Sequence, residues 1–319
     1  MSKQTTILLS AAGGMPSLGV IDVLQSEDVE VVGIDSDPYS FGLHYLESGY
    51  TVPRGDDPSF VDSLLNIVRK KKVDALLLSP ESEVIAVSRQ KDRFVEAGCL
   101  PLCPEYETVE RCVDKVETAQ AFESLDIPTP TLYHDAQDTE YPCIVKPRYG
   151  RGSSGVNVAE NPEELSVYVD QLEEPLIQEY IEGEEYTVDV LTDEGGEVLS
   201  AVPRQRIAVD SGKSVTGMTV TDEEIREYSR EIASSWKLYG PSCIQCIRSS
   251  EGIHFIEVNN RFGGGAVLSM HADDELLPNL LSMVDGIPTM PTSEYKTNLV
   301  MLRNYEQMFL DNSEIEKYE

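Results

Sequence analysis

The segment YPCIVKPRYGRGSSGV, residues 141–156, sets Lys146 at the end of an apolar run and follows it at once with a glycine- and serine-rich turn. These residue types handle phosphate. Gly150, Gly152 and Gly155 let backbone N–H groups approach an anion closely, Ser153 and Ser154 add hydroxyl donors, and Lys146 supplies a point charge for a polyphosphate. The lysine precedes the glycines and G-x-x-x-x-G-K-[ST] is absent, so the segment is not a P-loop. Taken alone, it reads equally well as a solvent-exposed Gly/Ser hairpin.

A second constellation lies downstream in IHFIEVNNR, residues 253–261. Side chains alternate along a strand, so Glu257 and Asn259 share one face. The apolar run CIQCI, residues 243–247, joins it through Ser249-Ser250-Glu251-Gly252, and a hairpin turn centred near Glu251 sets Gln245 opposite Glu257. A carboxylate and two amides then cluster beside Arg261 and Gly263-Gly264-Gly265, an oxygen set suited to a hard cation such as Mg²⁺ carrying nucleotide phosphates. A lone glutamate would read as a solvated strand face, since oxygen ligands need company to hold Mg²⁺. Between the two constellations, residues 176–190 read as two short apolar strands separated by an acidic glycine turn.

Read in order, Asp114-Lys115, the Lys146 strand and its glycine loop, Gln178-Glu179-Tyr180-Ile181 with Glu185, then Gln245 and Glu257-x-Asn259-x-Arg261, the chain resembles the ATP-grasp superfamily. It is most similar to the branch holding the carbamoyl-phosphate synthase large chain and related carboxylate–amine ligases. The resemblance implies ATP as cosubstrate, with Lys115 at the α-phosphate and Lys146, Gly152, Ser153, Ser154 and Gly155 at the phosphates. It implies that the backbone of Glu179, Tyr180 and Ile181 meets adenine and that Glu185 accepts from the ribose hydroxyls. Gln245, Glu257 and Asn259 match the metal ligands, Glu257 bridging two Mg²⁺ ions for which Mn²⁺ would substitute. Arg261 would stabilise the transferring γ-phosphoryl group, and Arg206 would face that group or the acyl substrate. The plainer reading of Arg204 and Arg206 is a shared strand face that balances nearby acids. Two positions depart from the family pattern: Asn260 stands where proline is common, and Gln245 where many branches carry a carboxylate.

These residues need a frame. The first hundred residues alternate a strand at 6–10, a helix at 17–24, a strand at 29–35, a helix at 60–68 and a strand at 73–78, which predicts a parallel sheet. Asp35 invites a dinucleotide reading, but G-x-G-x-x-G is missing. The fold class expected is therefore α/β, turning α+β in the C-terminal half. It would be an ATP-grasp fold with an N-terminal Rossmann-like pre-ATP-grasp domain at 1–105, a subdomain carrying the glycine-rich lid at 106–180, and a subdomain carrying the metal and catalytic residues at 181–319.

The chain of 319 residues carries 25 Lys and Arg against 57 Asp and Glu, a net charge of −32. So acidic a surface repels nucleic acid, and its acids are spread along the chain, which points to a high-salt cytoplasm more than to an interaction tail. No apolar run reaches the length of a membrane span, so membrane partners are not expected. The six cysteines read as reduced core thiols, Cys243 and Cys246 on opposite faces of one strand. The activity expected is a cytoplasmic ligase joining a small carboxylate to an amine or ammonia through an acyl phosphate, the acid bordered by Arg261, Gly263, Gly264 and the turn Ala12-Gly13-Gly14. The resemblance is compatible with a homodimer. Two alternatives are a carbamoyl-phosphate-synthase-like kinase on bicarbonate or carbamate and a catalytically silent nucleotide-binding regulator.

Overall fold

A computed structural model describes residues 4–135, 138–150, 152, 154–210, 212–315 and 317, with Lys213 described by its backbone alone. Ser153, expected at the phosphates, lies outside the described residues. The described residues build three sheets. The first is the expected parallel sheet, formed by β1 (Thr6–Ser10), β2 (Glu30–Asp35), β3 (Ser48–Thr51), β4 (Ala75–Leu77) and β5 (Leu100–Pro101) in the order β3-β2-β1-β4-β5. Both faces of β1 are buried, which is why its sequence is a continuous apolar run and does not alternate. Leu8 joins Val32, Leu64 and Phe94 on one face, while Ile7 and Leu9 face helix Ser17–Ser26 on the other.

The second sheet is small and antiparallel: β6 (Leu132–Tyr133), β7 (Cys143–Pro147), β8 (Asn157–Ala159) and β9 (Pro175–Glu179), ordered β6-β9-β7-β8. Its core is only Cys143, Val145, Ala159 and Leu165, flanked by half-buried aromatics. The third sheet has six antiparallel strands, β10 (Glu184–Thr192), β11 (Val198–Asp210), β12 (Lys213–Thr219), β13 (Gly240–Arg248), β14 (Ile253–Asn259) and β15 (Val300–Leu302), in the order β14-β13-β10-β11-β12-β15. Helices Lys115–Ser124 and Glu223–Trp236 cover its outer face, where Phe122 stacks on Trp236 at 5.0 Å between ring centroids.

The inner face of the large sheet is welded to the parallel sheet. Leu191 and Leu199 from β10 and β11, with Met270, Leu276 and Leu280, share one buried cluster with Ile7, Leu9 and Ile21. A Cβ on Gly19 would come within 2.9 Å of Val267, so helix Ser17–Ser26 crosses helix Ala266–Ala272 at close range because Gly19 has no side chain. This shared core fixes the C-terminal end of β1 opposite the exit of β14, and the cleft between them is where the chemistry-bearing residues gather. The six cysteines are free and buried; burial pushes the Cys243 thiol up to about 11 and Cys112 up to about 12. Among the described residues, no helix is long and apolar enough to cross a membrane.

Candidate active site

Two cavities flank a single seam. The first, about 340 Å³, lies between the four-stranded and six-stranded sheets and is lined by Lys115, Lys146, Gly150, Gly152, Ser154, Gln178, the stretch from Glu179 to Ile181, Glu185, Gln245 and Glu257. Lys146 reaches it from β7 and donates to Gln178 Oε1 on neighbouring β9 at 2.6 Å. Burial pulls its ammonium down to about 8, with Glu257 pulling it back up and Lys115 pressing it lower. Lys115 opens helix Lys115–Ser124 and donates to Gly150 O at 2.7 Å. Its position is set by Asp114, which caps the helix by accepting from Val116 N and Glu117 N and is gripped by Arg148 Nε at 2.8 Å and Tyr149 OH at 2.9 Å. Burial alone would raise the Asp114 carboxyl, but these hydrogen bonds hold it below its usual range.

Other expected residues stand as follows. Glu179 Oε2 accepts from Thr131 N at 3.0 Å, which ties the end of β9 to the residue before β6. Glu185 sits at the cavity edge, 3.3 Å from Arg206. Gly155 does not line the cavity; at φ +75° it packs against Pro147 and Leu172 and turns the chain into β8. Tyr180 is partly exposed at the rim.

On the floor, the hairpin register pairs Gln245 with Glu257, as the turn spacing predicts. Gln245 Nε2 lies 3.4 Å and Asn259 Nδ2 2.5 Å from the same oxygen, Glu257 Oε1. The amide oxygens turn outward, Gln245 Oε1 to Arg206 Nη1 at 2.7 Å and Asn259 Oδ1 to Arg261 Nη2 at 3.2 Å. A half-turn of each amide would aim its oxygen where its nitrogen now points. The residues therefore fit a hard divalent cation that takes its remaining ligands from phosphate, since Glu257 is the one carboxylate of the set. Among the described residues, no group of three or more His, Cys, Asp or Glu could hold a metal by itself.

The second cavity, about 360 Å³, opens where the parallel sheet meets the large one. Arg261 and Gly263 to Gly265 form one wall, and Ala11, Gly14, Ser17 and Ser79 the other. Arg206 and Gln245 line both cavities and form the seam. Arg206 also donates to Gly212 O at 3.0 Å, at the tip of the β11–β12 hairpin. A Cβ on Gly212 would lie 2.9 Å from Gly152 Cα, so this tip touches the glycine loop across the seam. One expectation needs correction: of the turn Ala12-Gly13-Gly14, only Gly14 borders the cavity. Ala12 is buried, and Gly13 N donates to Asp35 Oδ2 at 3.0 Å, so Asp35 serves the turn itself.

Arg204 is not the surface residue that charge balance suggested. It is almost fully buried, its Nε donating to Asp189 Oδ2 at 2.7 Å, and Ser269 Oγ donates to the same oxygen at 2.7 Å. Gly263 and Gly265 press on this guanidinium; a Cβ on either would come within 2.6 Å of it. Sequence reasoning passed over this network, although an aspartate inside the apolar run Thr187-Val188-Asp189-Val190-Leu191 is a signal that a buried partner must exist.

Residues 112–265 match the ATP-grasp domain family, and residues 7–102 the PylC-like N-terminal domain. The chain is 32% identical over 163 residues to the D-alanine–D-alanine ligase of Fusobacterium nucleatum, covering 47% of this chain and 57% of that one. It is 26% identical over 278 residues to the 3-methyl-D-ornithine–L-lysine ligase of Methanosarcina acetivorans, covering 84% of this chain and 72% of that one. Among solved structures, the biotin carboxylase domain of Hydrogenobacter thermophilus 2-oxoglutarate carboxylase superposes with a TM-score of 0.74 at 17% identity, over 93% of this chain and 74% of that one. Residues 112–265 thus form an ATP-grasp domain, set behind a PylC-like N-terminal domain at residues 7–102.

Proposed function

We propose that the chain is an ATP-dependent ligase that joins a small carboxylate to an amine or ammonia through an acyl phosphate, releasing ADP and phosphate. The observation that carries this reading is the pair of cavities meeting at Arg206 and Gln245, one rich in phosphate-handling residues and the other in carboxylate-handling ones. ATP occupies the first, its phosphates between Lys115, Lys146 and the glycine loop, its adenine against the backbone from Glu179 to Ile181 and its ribose at Glu185. Gln245, Glu257 and Asn259 would hold Mg²⁺, or Mn²⁺ in its place, which would neutralise phosphate charge.

The chain's own residues then position and stabilise. A carboxylate oxygen of the acid attacks the γ-phosphorus from the second cavity, the bond to the β–γ bridging oxygen breaks, and ADP leaves with that electron pair. Arg206 in the seam and Arg261 in the second cavity stand near where this charge develops, and stabilising it is most of what such an enzyme contributes. The amine nitrogen next attacks the acyl carbon, the carbon–oxygen bond to phosphate breaks, and the nitrogen loses a proton as the amide forms. The meeting of the Gly152 loop with the Gly212 hairpin tip roofs the seam, which keeps water from the acyl phosphate.

The test is coupled ADP release with single acids, then acid–amine pairs, at high KCl with Mg²⁺. Release that requires a small acid, with amide product when an amine is added, is the expected result. Turnover that needs nucleic acid, lipid or a protein, and never a small carboxylate, would overturn the reading. Release on bicarbonate alone would mark a carbamoyl-phosphate-type kinase, and nucleotide binding without release a silent regulator.

A further inference from the structure

Arg206 is held by groups that have other work to do. One step beyond the Tyr186–Gln205 pair, it stands across the sheet from Glu185, and Gln245 pairs with Thr187, two residues on from Glu185. The three side chains therefore share one face of the large sheet. On that face Arg206 Nη1 donates to Gln245 Oε1 at 2.7 Å and lies 3.3 Å from Glu185 Oε2, while Nη2 donates to Gly212 O at 3.0 Å. The Arg206 side chain is only 9% exposed, so its guanidinium depends on these acceptors.

Two of the three cannot serve Arg206 and a metal–nucleotide complex together. Gln245 Nε2 points at Glu257 Oε1 from 3.4 Å, and the half-turn that would aim its oxygen at a cation there sets its NH₂ group against Arg206 Nη1, donor against donor. Glu185, half exposed at the cavity edge, faces the same conflict: ribose hydroxyls that donate to its carboxylate compete with the guanidinium for its oxygens. With both withdrawn, Arg206 keeps only Gly212 O, a neutral acceptor for a buried cation.

Resting on the ligase reading above, we propose that Arg206 lets the site tell ATP from ADP: any metal–nucleotide complex must draw Gln245 and Glu185 away from its guanidinium, and only a γ-phosphate gives it an anion in return. Arg206 lines both cavities and so stands where the terminal phosphoryl group meets the acid. A diphosphate ends one phosphoryl group short of it. A triphosphate presents oxygens that suit the planar fork of a guanidinium. Taking Arg206 away should therefore strengthen ADP binding, the opposite of what losing a basic residue from a phosphate site ordinarily does. After phosphoryl transfer, the return of Arg206 to Gln245 and Glu185 favours the departure of ADP.

The experiment uses the full chain, Mn²⁺ as the metal, and ADP or β,γ-imido-ATP as the nucleotide, at one KCl concentration. Calorimetry reads nucleotide affinity, and the electron paramagnetic resonance signal of free Mn²⁺ reads metal binding. We expect Arg206→Met to bind Mn–ADP about tenfold tighter than the unaltered chain, the scale of a hydrogen bond to a charged group, and the margin of the imido analogue over ADP to shrink by about the same factor. Arg206→Lys keeps the charge without the fork and should fall between; it carries the test alone if the methionine variant does not fold. ADP affinity unchanged or weaker in a folded variant, or a margin that survives the substitution, overturns the proposal. ADP release from ATP with small acids, measured in parallel, separates it from the reading beneath. Tighter ADP binding in the variants, with no acid-dependent release by the unaltered chain, would sink the ligase reading and leave this role of Arg206 standing. Acid-dependent release with ADP affinity indifferent to Arg206 would do the reverse.

Discussion

Lys146 carries opposing demands. Its burial favours the neutral amine, lowering its pKa from 10.5 to about 8, whereas a polyphosphate favours the ammonium. The folded chain therefore binds fewer protons at this site than the unfolded chain between about 8 and 10.5, and stability from this residue rises with pH across that window. Nucleotide binding has the opposite sign. It draws a proton onto Lys146, so affinity for an ATP analogue should weaken as pH rises past about 8, with proton uptake visible by calorimetry in buffers of different ionisation enthalpy. Lys146→Arg, which stays charged, should flatten the profile; a profile equally steep in the variant would assign it to another group. Glu257 makes the sharper test of the metal assignment. Its oxygen Oε1 is where both amides converge, and Glu257→Gln keeps the shape while removing the only negative charge of the set. Turnover should fall by about two orders of magnitude or more, with the unfolding midpoint unchanged. Near-normal turnover in a folded variant would refute the assignment.

At the scale of elements, hairpins and buried pairs differ in how far sequence reveals them. The register of β13 on β14 was legible in part: a turn centred near Glu251 set Gln245 opposite Glu257, but the pairs beside the turn, Arg248 with Ile253 and Cys246 with Phe255, would by themselves bring Gln245 opposite Ile256, and a bulge between Gln245 and Cys246 makes the observed match. The parallel sheet was legible from the apolar run of β1 and the alternation of strands with helices. What stayed hidden depends on strands brought together from a distance. Arg204 and Asp189 lie on adjacent strands, and nothing in local spacing says that their side chains turn inward to meet Ser269 and the glycine run. That run, Gly263-Gly264-Gly265, looked like anion-binding equipment, yet two of its glycines are also needed for packing. In Gly263→Ala the new methyl would sit 2.6 Å from Arg204 Nη2 and 3.0 Å from Asp189 Oδ1, and the guanidinium cannot swing away without leaving a buried carboxylate unpaired. We expect a loss of about 1–3 kcal/mol by denaturant titration. Gly195→Ala, at an exposed glycine where a Cβ would come no nearer than 3.2 Å to another atom, Asp193 Oδ1, is the control and should be close to neutral. Equal stability of the two variants would mean that the Arg204 network yields more easily than its burial implies.

The whole molecule is defined as much by its charge as by its fold. With 57 acids against 25 bases, most carboxylates cannot find a cationic partner, and ion pairs such as Arg54–Asp56 and Lys296–Asp274 are exposed and weak. Of the stronger pairs, Arg204 and Asp189 are buried and the part-exposed Arg148 grips the buried Asp114; each pair is neutral overall and leaves the excess of acid at the surface unchanged. The compact state therefore bears a self-repulsion that the expanded chain relieves, and its size depends on screening: the Debye length shrinks from about 10 Å at 0.1 M salt to about 3 Å at 1 M. Added salt should then stabilise the folded chain, the expected signature of a protein fitted to a high-salt cytoplasm. We predict that the thermal unfolding midpoint climbs by several degrees or more between low and molar KCl, about 1 kcal/mol of relief being worth roughly 2–4 °C even in somewhat smaller domains. The internal pairs make the prediction selective. Arg204 and Asp189 are screened little by salt, so a Gly263→Ala variant should show the same climb from a lower starting point. A midpoint that stays flat or falls with KCl would show that the acidic surface is not a burden on folding, and the high-salt explanation would fail with it.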